Sequence, residues 1–359
     1  MDLDLIRVLV FGVVGLLCTV FYRKYAGPAE PKAGRRGRAE AAGFVPRERL
    51  NTLHAAPEPA LDHALLATGR GDWGPAARLL AETRERRDWG ARGRVLGGLV
   101  SHRALEPDGW LRAWEAQAGA DHPDVALVRA AAVVDLAWHH RGGGWAKDTG
   151  PDRFAGFFAA LAQAPAHHAA ARAANPGDPT PFVAELATAM GTNAPYEEAR
   201  ALFEGAVARD PHHLGAHAAF LTYLLPRWHG SREQARSFAR EAAAAAPPGA
   251  LLARLPLLAW YLTGGEEAKT AVHRTPELRA LVDAAGADLA AAVPGSPGTA
   301  SMHHLLAYFL TRQGRYEEAV AHFRRVDGFV AAAPWTSWTD PAAAYCHWRE
   351  KAVRGAGRR

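Results

Sequence analysis

The chain has 359 residues, of which 49% are hydrophobic and 22% are charged, a composition typical of a globular protein rather than a disordered one. Its formal net charge of +5 is concentrated in two basic segments, residues 23–49 and 349–359, so the body between them is near neutral. A nucleic-acid-binding protein needs a basic face to neutralise phosphates, and the charge of this body excludes nucleic acid as an expected partner. The two cysteines, Cys18 and Cys346, are too few for a disulfide framework and fit a reducing compartment.

The first predicted element is a transmembrane anchor within residues 1–25. No charged residue occurs from Val8 to Tyr22, a length near the lower limit of the about 20 apolar residues that span a bilayer. The acidic residues Asp2 and Asp4, and the lack of a small-residue cleavage site after the apolar run, favour an uncleaved anchor over a cleaved signal peptide. Because the following flank is basic, the positive-inside rule predicts a single-pass protein of the cell membrane whose C-terminal domain is cytoplasmic.

Three further segments are predicted after the anchor. Residues 26–48 are rich in Gly, Pro, Ala and Arg and lack apolar periodicity, which indicates a flexible basic linker. Residues 49–348 are divided by Gly and Pro into apolar segments with helical spacing, such as 251–262 and 302–310, and lack the alternation typical of strands. This body is therefore predicted to be all-α, and residues 349–359 form a basic C-terminal tail.

A repeated helix–turn–helix pattern occurs within the body. In its clearest copy, residues 305–326, a bulky first helix and a glycine turn are followed by Tyr316, Ala319 and Phe323. The small alanine allows the two helices to approach closely, and the aromatic side chains fill the space beside it.

Residues 186–211 carry the same pattern, and residues 71–80 and 216–247 carry weaker copies. The corresponding alanines are Ala199, Ala76 and Ala235. The pattern resembles the tetratricopeptide repeat over about half of the body. This resemblance implies a right-handed α-solenoid of stacked helix–turn–helix repeats, because one repeat cannot bury its apolar face alone.

Motifs of catalysis or cofactor binding do not have the context that they require. Residues 69–74 fit the dinucleotide-binding pattern G-x-G-x-x-G, but they follow a predicted helix, whereas that chemistry requires a preceding strand. The chain has 17 histidines, and His213 and His217 share a helix face, yet no adjacent glutamate or cysteine completes a metal site. We therefore predict no enzyme activity, no cofactor and no metal ligand.

Two Trp-containing stretches supply the candidate partner-binding residues, because Trp and Arg are enriched at binding hot spots. One includes a glycine triplet at 142–144, and the other spans 227–229. The alternative is that these Trp side chains pack inside the fold. With His217 added, the candidate set is Trp138, His139, Arg141, Trp145, His217, Arg227, Trp228 and His229.

The predicted function is a membrane-anchored scaffold that binds a protein or peptide and performs no catalysis. Two alternatives remain open: a metal-dependent enzyme built on the histidines, and an envelope assembly factor that associates with itself. Tetratricopeptide domains that bind a C-terminal carboxylate use Lys, Arg and Asn of their inner helices. The corresponding helices here, near 181–192 and 301–312, offer mostly Ala, Leu, Thr and His, with Arg312 as an exception, so that mode is not expected of them.

Overall fold

The computed structural model describes residues 37–142, 149–265 and 270–357. Within these ranges every regular element is helical, and an isolated parallel bridge between Asn51 and Phe329 is the only strand-like pairing. The all-α prediction is therefore confirmed. The predicted anchor, residues 1–25, lies outside the described residues. Among the residues that are described, no helix is both long enough and apolar enough to cross a membrane.

The described chain divides into two compact units, the first of which is Glu58–Gly230. Its helices are α1 (Pro59–Thr68), α2 (Gly74–Glu85), α3 (Trp89–Leu99), α4 (Trp110–Ala118), α5 (Pro123–Arg141), α6 (Pro151–Leu161), α7 (Ala164–Ala174), α8 (Thr180–Gly191), α9 (Tyr196–Val207) and α10 (Leu214–Tyr223). A short 3-10 segment, His102–Leu105, connects α3 to α4.

The second unit combines residues 37–57 with the chain from Ser231 onward. Its helices are α11 (Arg232–Ala245), α12 (Arg254–Trp260), α13 (Pro276–Ala291), α14 (Thr299–Gln313), α15 (Tyr316–Arg325) and α16 (Pro341–Ala356). Shorter helical segments are Arg38–Ala41, Arg47–Arg49, Tyr261–Gly265, Val272–Arg274 and Trp335–Ser337.

Helix α5 is the central helix of the first unit. It starts at Pro123, where the missing N–H is not needed, and Nδ1 of His122 accepts the backbone N–H of Asp124 at 3.3 Å. It ends before Gly142, whose φ of +74° favours glycine. Most of its side chains are buried, and it packs against α4, α6, α7 and α8. The C-terminal end of α5 therefore belongs to a helix that is packed on several sides.

A buried ionic network ties α3 to α5 and to the turn before α8. Arg92 is fully buried, and it donates to Asp124 at 2.7 Å and to the Leu80 carbonyl at 2.9 Å. It also pairs with Asp178, whose carboxylate accepts the Thr180 N–H at 2.7 Å. A buried charge is tolerated only when it is paired, and these bonds supply the partners of Arg92. They also connect α3 to α5 and to the turn before α8, segments that are distant in sequence.

The alanine of each repeated pattern lies in the interior. Ala76, Ala199, Ala235 and Ala319 each have an exposed fraction of 0%. Helix α8 packs against α9, and α14 packs against α15, as the two clearest copies of the pattern predict. Small side chains at these positions allow the helices to approach closely.

The predicted flexible linker differs from the structure over residues 37–48. This part is folded onto the second unit: Glu350 accepts two of its backbone N–H groups, at 3.1 and 2.8 Å. Asp327 accepts the N–H of Val45 at 2.8 Å. Phe44 is buried. These contacts join backbone groups to carboxylates far along the chain, so they produce no apolar periodicity that a sequence pattern could detect.

The predicted basic tail also differs from the structure, because it is helical as far as residue 356. It continues α16, whose start is capped by Asp340. Arg349 is only 2% exposed, bonds to Asp327 at 2.9 Å, and lies 5.2 Å from the ring of Phe44. The charge of Arg349, which was predicted to belong to the basic tail, is thus paired within the fold.

Candidate protein-interaction surface

The two predicted Trp-containing stretches meet in the first unit. The ring of Trp138, near the end of α5, lies edge to face with that of Trp228, in the turn after α10. Their centroids are 6.2 Å apart, and their planes make an angle of 82°. Both side chains are partly buried. Trp145, the other Trp of the first stretch, lies outside the described residues.

Aromatic side chains of α6 surround the end of α5. Buried Phe157 contacts the ring of Trp138 with centroids 5.0 Å apart. The guanidinium of Arg141 lies 5.6 Å from the Trp138 ring and 5.9 Å from that of Phe154, which is cation–π geometry. Burial lowers the pKa of Arg141, but an arginine remains protonated at neutral pH. A fixed positive charge is therefore held between aromatic rings.

An exposed face continues from these rings. Phe158 is 54% exposed, and its ring stacks on that of Phe154 at 6.1 Å. Three exposed basic side chains are nearby: His139, His140 and Arg153. We call His139, His140, Arg153, Phe154 and Phe158 the α5–α6 surface. Aromatic and arginine side chains are enriched at protein interfaces.

The pair of His102 and Asp135 lies at one edge of the α5–α6 surface. The sequence analysis did not predict this pair. Asp135 accepts the backbone N–H of His102 at 2.6 Å and lies 3.1 Å from Nδ1 of the same residue. An ionised carboxylate only accepts hydrogen bonds, so Nδ1 of His102 carries the proton and donates it to this bond. The ring of His139 stacks on that of His102 with centroids 3.8 Å apart. In the sequence, the only indication of this arrangement was that Asp135 and His139 are one helical turn apart on α5, so they share a face of that helix.

The surroundings of His139 lower its pKa from the ordinary value. Burial lowers the pKa of His139, the charge of nearby His102 lowers it further, and Asp135 acts in the opposite direction. The pair of Asp135 with His102 thus attaches the 3-10 segment to α5 and gives His139 a defined position.

The second Trp stretch is held mainly by packing. The ring of His229 stacks on that of Tyr223 with centroids 4.6 Å apart, and its Nε2 lies 3.5 Å from the carbonyl oxygen of Met190. Arg227 is partly buried. His229 therefore packs against the ends of α10 and α8.

His217 lies in the interior and not on a partner-binding face. It is 6% exposed, its ring contacts Phe203 at 5.1 Å, and its Nδ1 is 3.1 Å from the carbonyl oxygen of His213. Burial is the main cause of the lowered pKa of His217. His213 caps α10, because its Nδ1 accepts the N–H of Ala216 at 3.0 Å. In the described ranges, no three His, Cys, Asp or Glu side chains are arranged to hold a metal ion.

A cleft on another side of α5 was also missed by the sequence analysis. Its volume is about 270 Å³. The described residues that line it are Ala104, Leu105, Arg112, Arg129, Val133, Leu136, Gln163 and His167. In the sequence, the only indication of the cleft was the i, i+4, i+7 spacing of Arg129, Val133 and Leu136, which places them on one face of α5. The cleft belongs to the first unit alone.

The fold and this surface define an all-helical protein with an exposed aromatic and basic face. In comparisons with family models, with curated proteins and with solved structures, no match was found. The function is therefore argued from the chain's own residues.

Proposed function

We propose that this chain is a protein-interaction scaffold whose α5–α6 surface binds a segment of another protein. The observation that carries the proposal is the exposure of Phe158, a large aromatic side chain that is 54% exposed and stacks on Phe154. An exposed phenylalanine gains free energy when a partner removes it from water. Trp138, Phe157 and Trp228 form a packed base beneath the end of α5, so little ordering is required on binding.

The charges of this face favour an amphipathic partner segment with acidic residues. Arg153 is exposed, and Arg141 holds a second positive charge against the rings. Asp135 is occupied by His102, and Asp152 is an exposed acidic residue at the start of α6. A partner with an apolar side chain against Phe158 and a carboxylate near Arg153 would satisfy both features.

The finer architecture and the membrane location are part of the same proposal. The four fully buried alanines, and the packing of α8 on α9 and of α14 on α15, support tetratricopeptide-like repeats. Such repeats would stack into a right-handed α-solenoid. The apolar run from Val8 to Tyr22 supports an anchor that holds this scaffold at the cell membrane, on the cytoplasmic side.

The test is affinity capture by the full-length chain from detergent-solubilised native membranes, in parallel for three versions of the chain. The wild type should retain a dominant protein in a fixed ratio. Phe158→Ser should lose it, because the apolar anchor of the surface is removed. Leu66→Ser is the matched control, since Leu66 is 64% exposed on α1 and does not belong to the α5–α6 surface. Equal recovery with both variants would overturn the proposal.

The partner segment could also come from a second copy of this chain. Self-association would then replace a foreign partner, as one alternative from the sequence analysis suggests. The molar mass of the purified full-length chain would rise with concentration, and Phe158→Ser would return it to the monomer value. A constant monomer mass excludes this form of the scaffold.

A further inference from the structure

The cleft beside α5 is lined by both aliphatic and polar side chains. Leu105, Val133 and Leu136 supply apolar side chains, while Arg112, Arg129, Gln163 and His167 supply nitrogen-bearing groups. Its volume of about 270 Å³ is close to the lower end of the range for ligand pockets. A site of this size accepts one residue of a peptide or a small molecule, and not a folded surface.

The charges of the cleft are positive. Among the described residues that line it, none carries a carboxylate. Arg129 is paired with Glu115, which lies outside the lining. Arg112 is exposed and has no ion-pair partner within the described part of the chain. One guanidinium is therefore free to meet an anion.

An unsatisfied donor gives a second, independent indication of a ligand. The Nε of Arg129 is buried and has no hydrogen-bond partner among the described residues. Buried polar groups in folded proteins nearly always have partners, so this donor is available to an acceptor that enters the cleft. The planar guanidinium presents donors with the geometry that suits a carboxylate.

The other two polar side chains of the lining, His167 and Gln163, add no positive charge to the cleft. Burial, followed by the charge of Arg129, lowers the pKa of His167, so its imidazole is neutral at neutral pH. Gln163 is neutral as well. With Arg129 already sharing its charge with Glu115, the cleft has too little positive charge for a doubly charged phosphate.

We propose that this cleft binds the carboxylate of a short aliphatic chain, with the aliphatic part against Leu105, Val133 and Leu136. The carboxylate has two possible sources, the C-terminal residue of a peptide and a free short-chain carboxylic acid. This site is separate from the α5–α6 surface, and it lies outside the helices near 181–192 and 301–312. The proposal therefore goes beyond the scaffold function and does not depend on it.

The test is isothermal titration calorimetry, in which the purified full-length chain is titrated with three probes in turn. The probes are N-acetyl-leucine, its uncharged amide N-acetyl-leucinamide, and hexanoate. Saturable binding of an acid, with at least tenfold weaker binding of the amide, supports the proposal. Tighter binding of N-acetyl-leucine indicates a peptide C-terminus, and tighter binding of hexanoate indicates a free acid. Equal binding of the acid and the amide, or no saturable binding of either acid, overturns it.

Two variants at exposed positions test the location. Arg112→Gln should weaken acid binding at least tenfold, because a charge-assisted hydrogen bond is lost. Gln163→Trp should block the cleft and abolish binding of both acids. The matched control is Arg70→Gln, which removes the same charge from the exposed turn after α1. If Arg70→Gln weakens binding as much as Arg112→Gln, the site is not this cleft. Capture through the α5–α6 surface should be unchanged in Arg112→Gln, so the two proposals can fail separately.

Discussion

Trp138 and Trp228 lie edge to face with their ring centroids 6.2 Å apart, although one belongs to α5 and the other follows α10. The contact joins two stretches that the sequence marks separately, and it supports the base of the α5–α6 surface. Edge-to-face aromatic pairs stabilise a fold beyond the area that they bury. Of the side chains predicted as partner contacts, Trp138 and Trp228 thus pack against each other, whereas His139 is exposed.

This aromatic contact predicts a measurable coupling. In a double-mutant cycle with Trp138→Leu and Trp228→Leu, we expect an interaction free energy of about 0.5–1.5 kcal/mol. Urea unfolding followed by circular dichroism measures it without reliance on Trp fluorescence. Strictly additive effects of the two substitutions would contradict the contact.

The buried network around Arg92 predicts a large loss of stability. Arg92→Ala leaves Asp124 and Asp178 without their buried partner, so the unfolding free energy should fall by about 3–5 kcal/mol. Arg94→Ala is the control, because Arg94 lies on the same helix and its 3.1 Å pair with Glu58 is partly exposed. It should cost less than about 1 kcal/mol. Similar urea midpoints for the two variants would contradict the prediction.

From the environment of His304 we predict that the free energy of unfolding falls in mild acid. Its Nδ1 accepts the indole N–H of Trp335 at 2.8 Å, and its Nε2 donates to the carbonyl oxygen of Ala55 at 3.1 Å. Burial lowers the pKa of His304 from 6.5 to about 4. Between these values the unfolded chain binds more protons than the folded one. The stabilisation is therefore fully present above about pH 6.5 and is lost as the pH falls toward 4.

The measurement is the urea midpoint of the wild type and of His304→Gln between pH 4 and 7. Glutamine can accept from Trp335 and donate to Ala55 but does not titrate, so the variant should show a smaller slope with pH. Some slope should remain, because the pKa values of His303 and His322 are also lowered to about 4. His63→Gln, at an exposed position in the first unit, is the matched control for a His-to-Gln substitution as such. An unchanged slope in His304→Gln would disprove the assignment.

The contact of Glu350 with the segment at 37–48 predicts a local change in hydrogen exchange. Glu350→Gln removes the charge that holds the backbone N–H groups of Arg38 and Ala39, so these amides should exchange faster. The amide of Asn51 bonds to the Gly328 carbonyl at 2.7 Å and should stay protected. Mass-spectrometric exchange on the full-length chain measures both regions. Equal acceleration at Asn51 would indicate a global effect instead.

The proposed anchor predicts the behaviour of the chain in native membranes. The full-length protein should stay in the membrane pellet after alkaline carbonate extraction, because its apolar run is inserted and not adsorbed. Deletion of residues 1–25 should release it into the supernatant. Release of the full-length chain under the same conditions would exclude an integral anchor.

The sequence predicted much of the local structure and little of the candidate site. The pattern around Ala319 and Phe323 placed two packed helices correctly, because helical spacing and a small residue at a crossing are local signals. His217 shows the limit: it was predicted as a partner-binding residue, but its side chain is buried. Whether a histidine on a helix faces solvent or a neighbouring helix depends on packing that the spacing does not encode.

By itself, the sequence determined that the described chain is helical, since residue periodicity and turn residues act over a few positions. Only the tertiary structure decided which distant groups meet. It brought Trp138 to Trp228, Asp135 to His102, and Glu350 to the segment at 37–48. Each of these contacts joins residues from different elements, and its stability depends on burial and hydrogen bonding that exist only after the helices have packed.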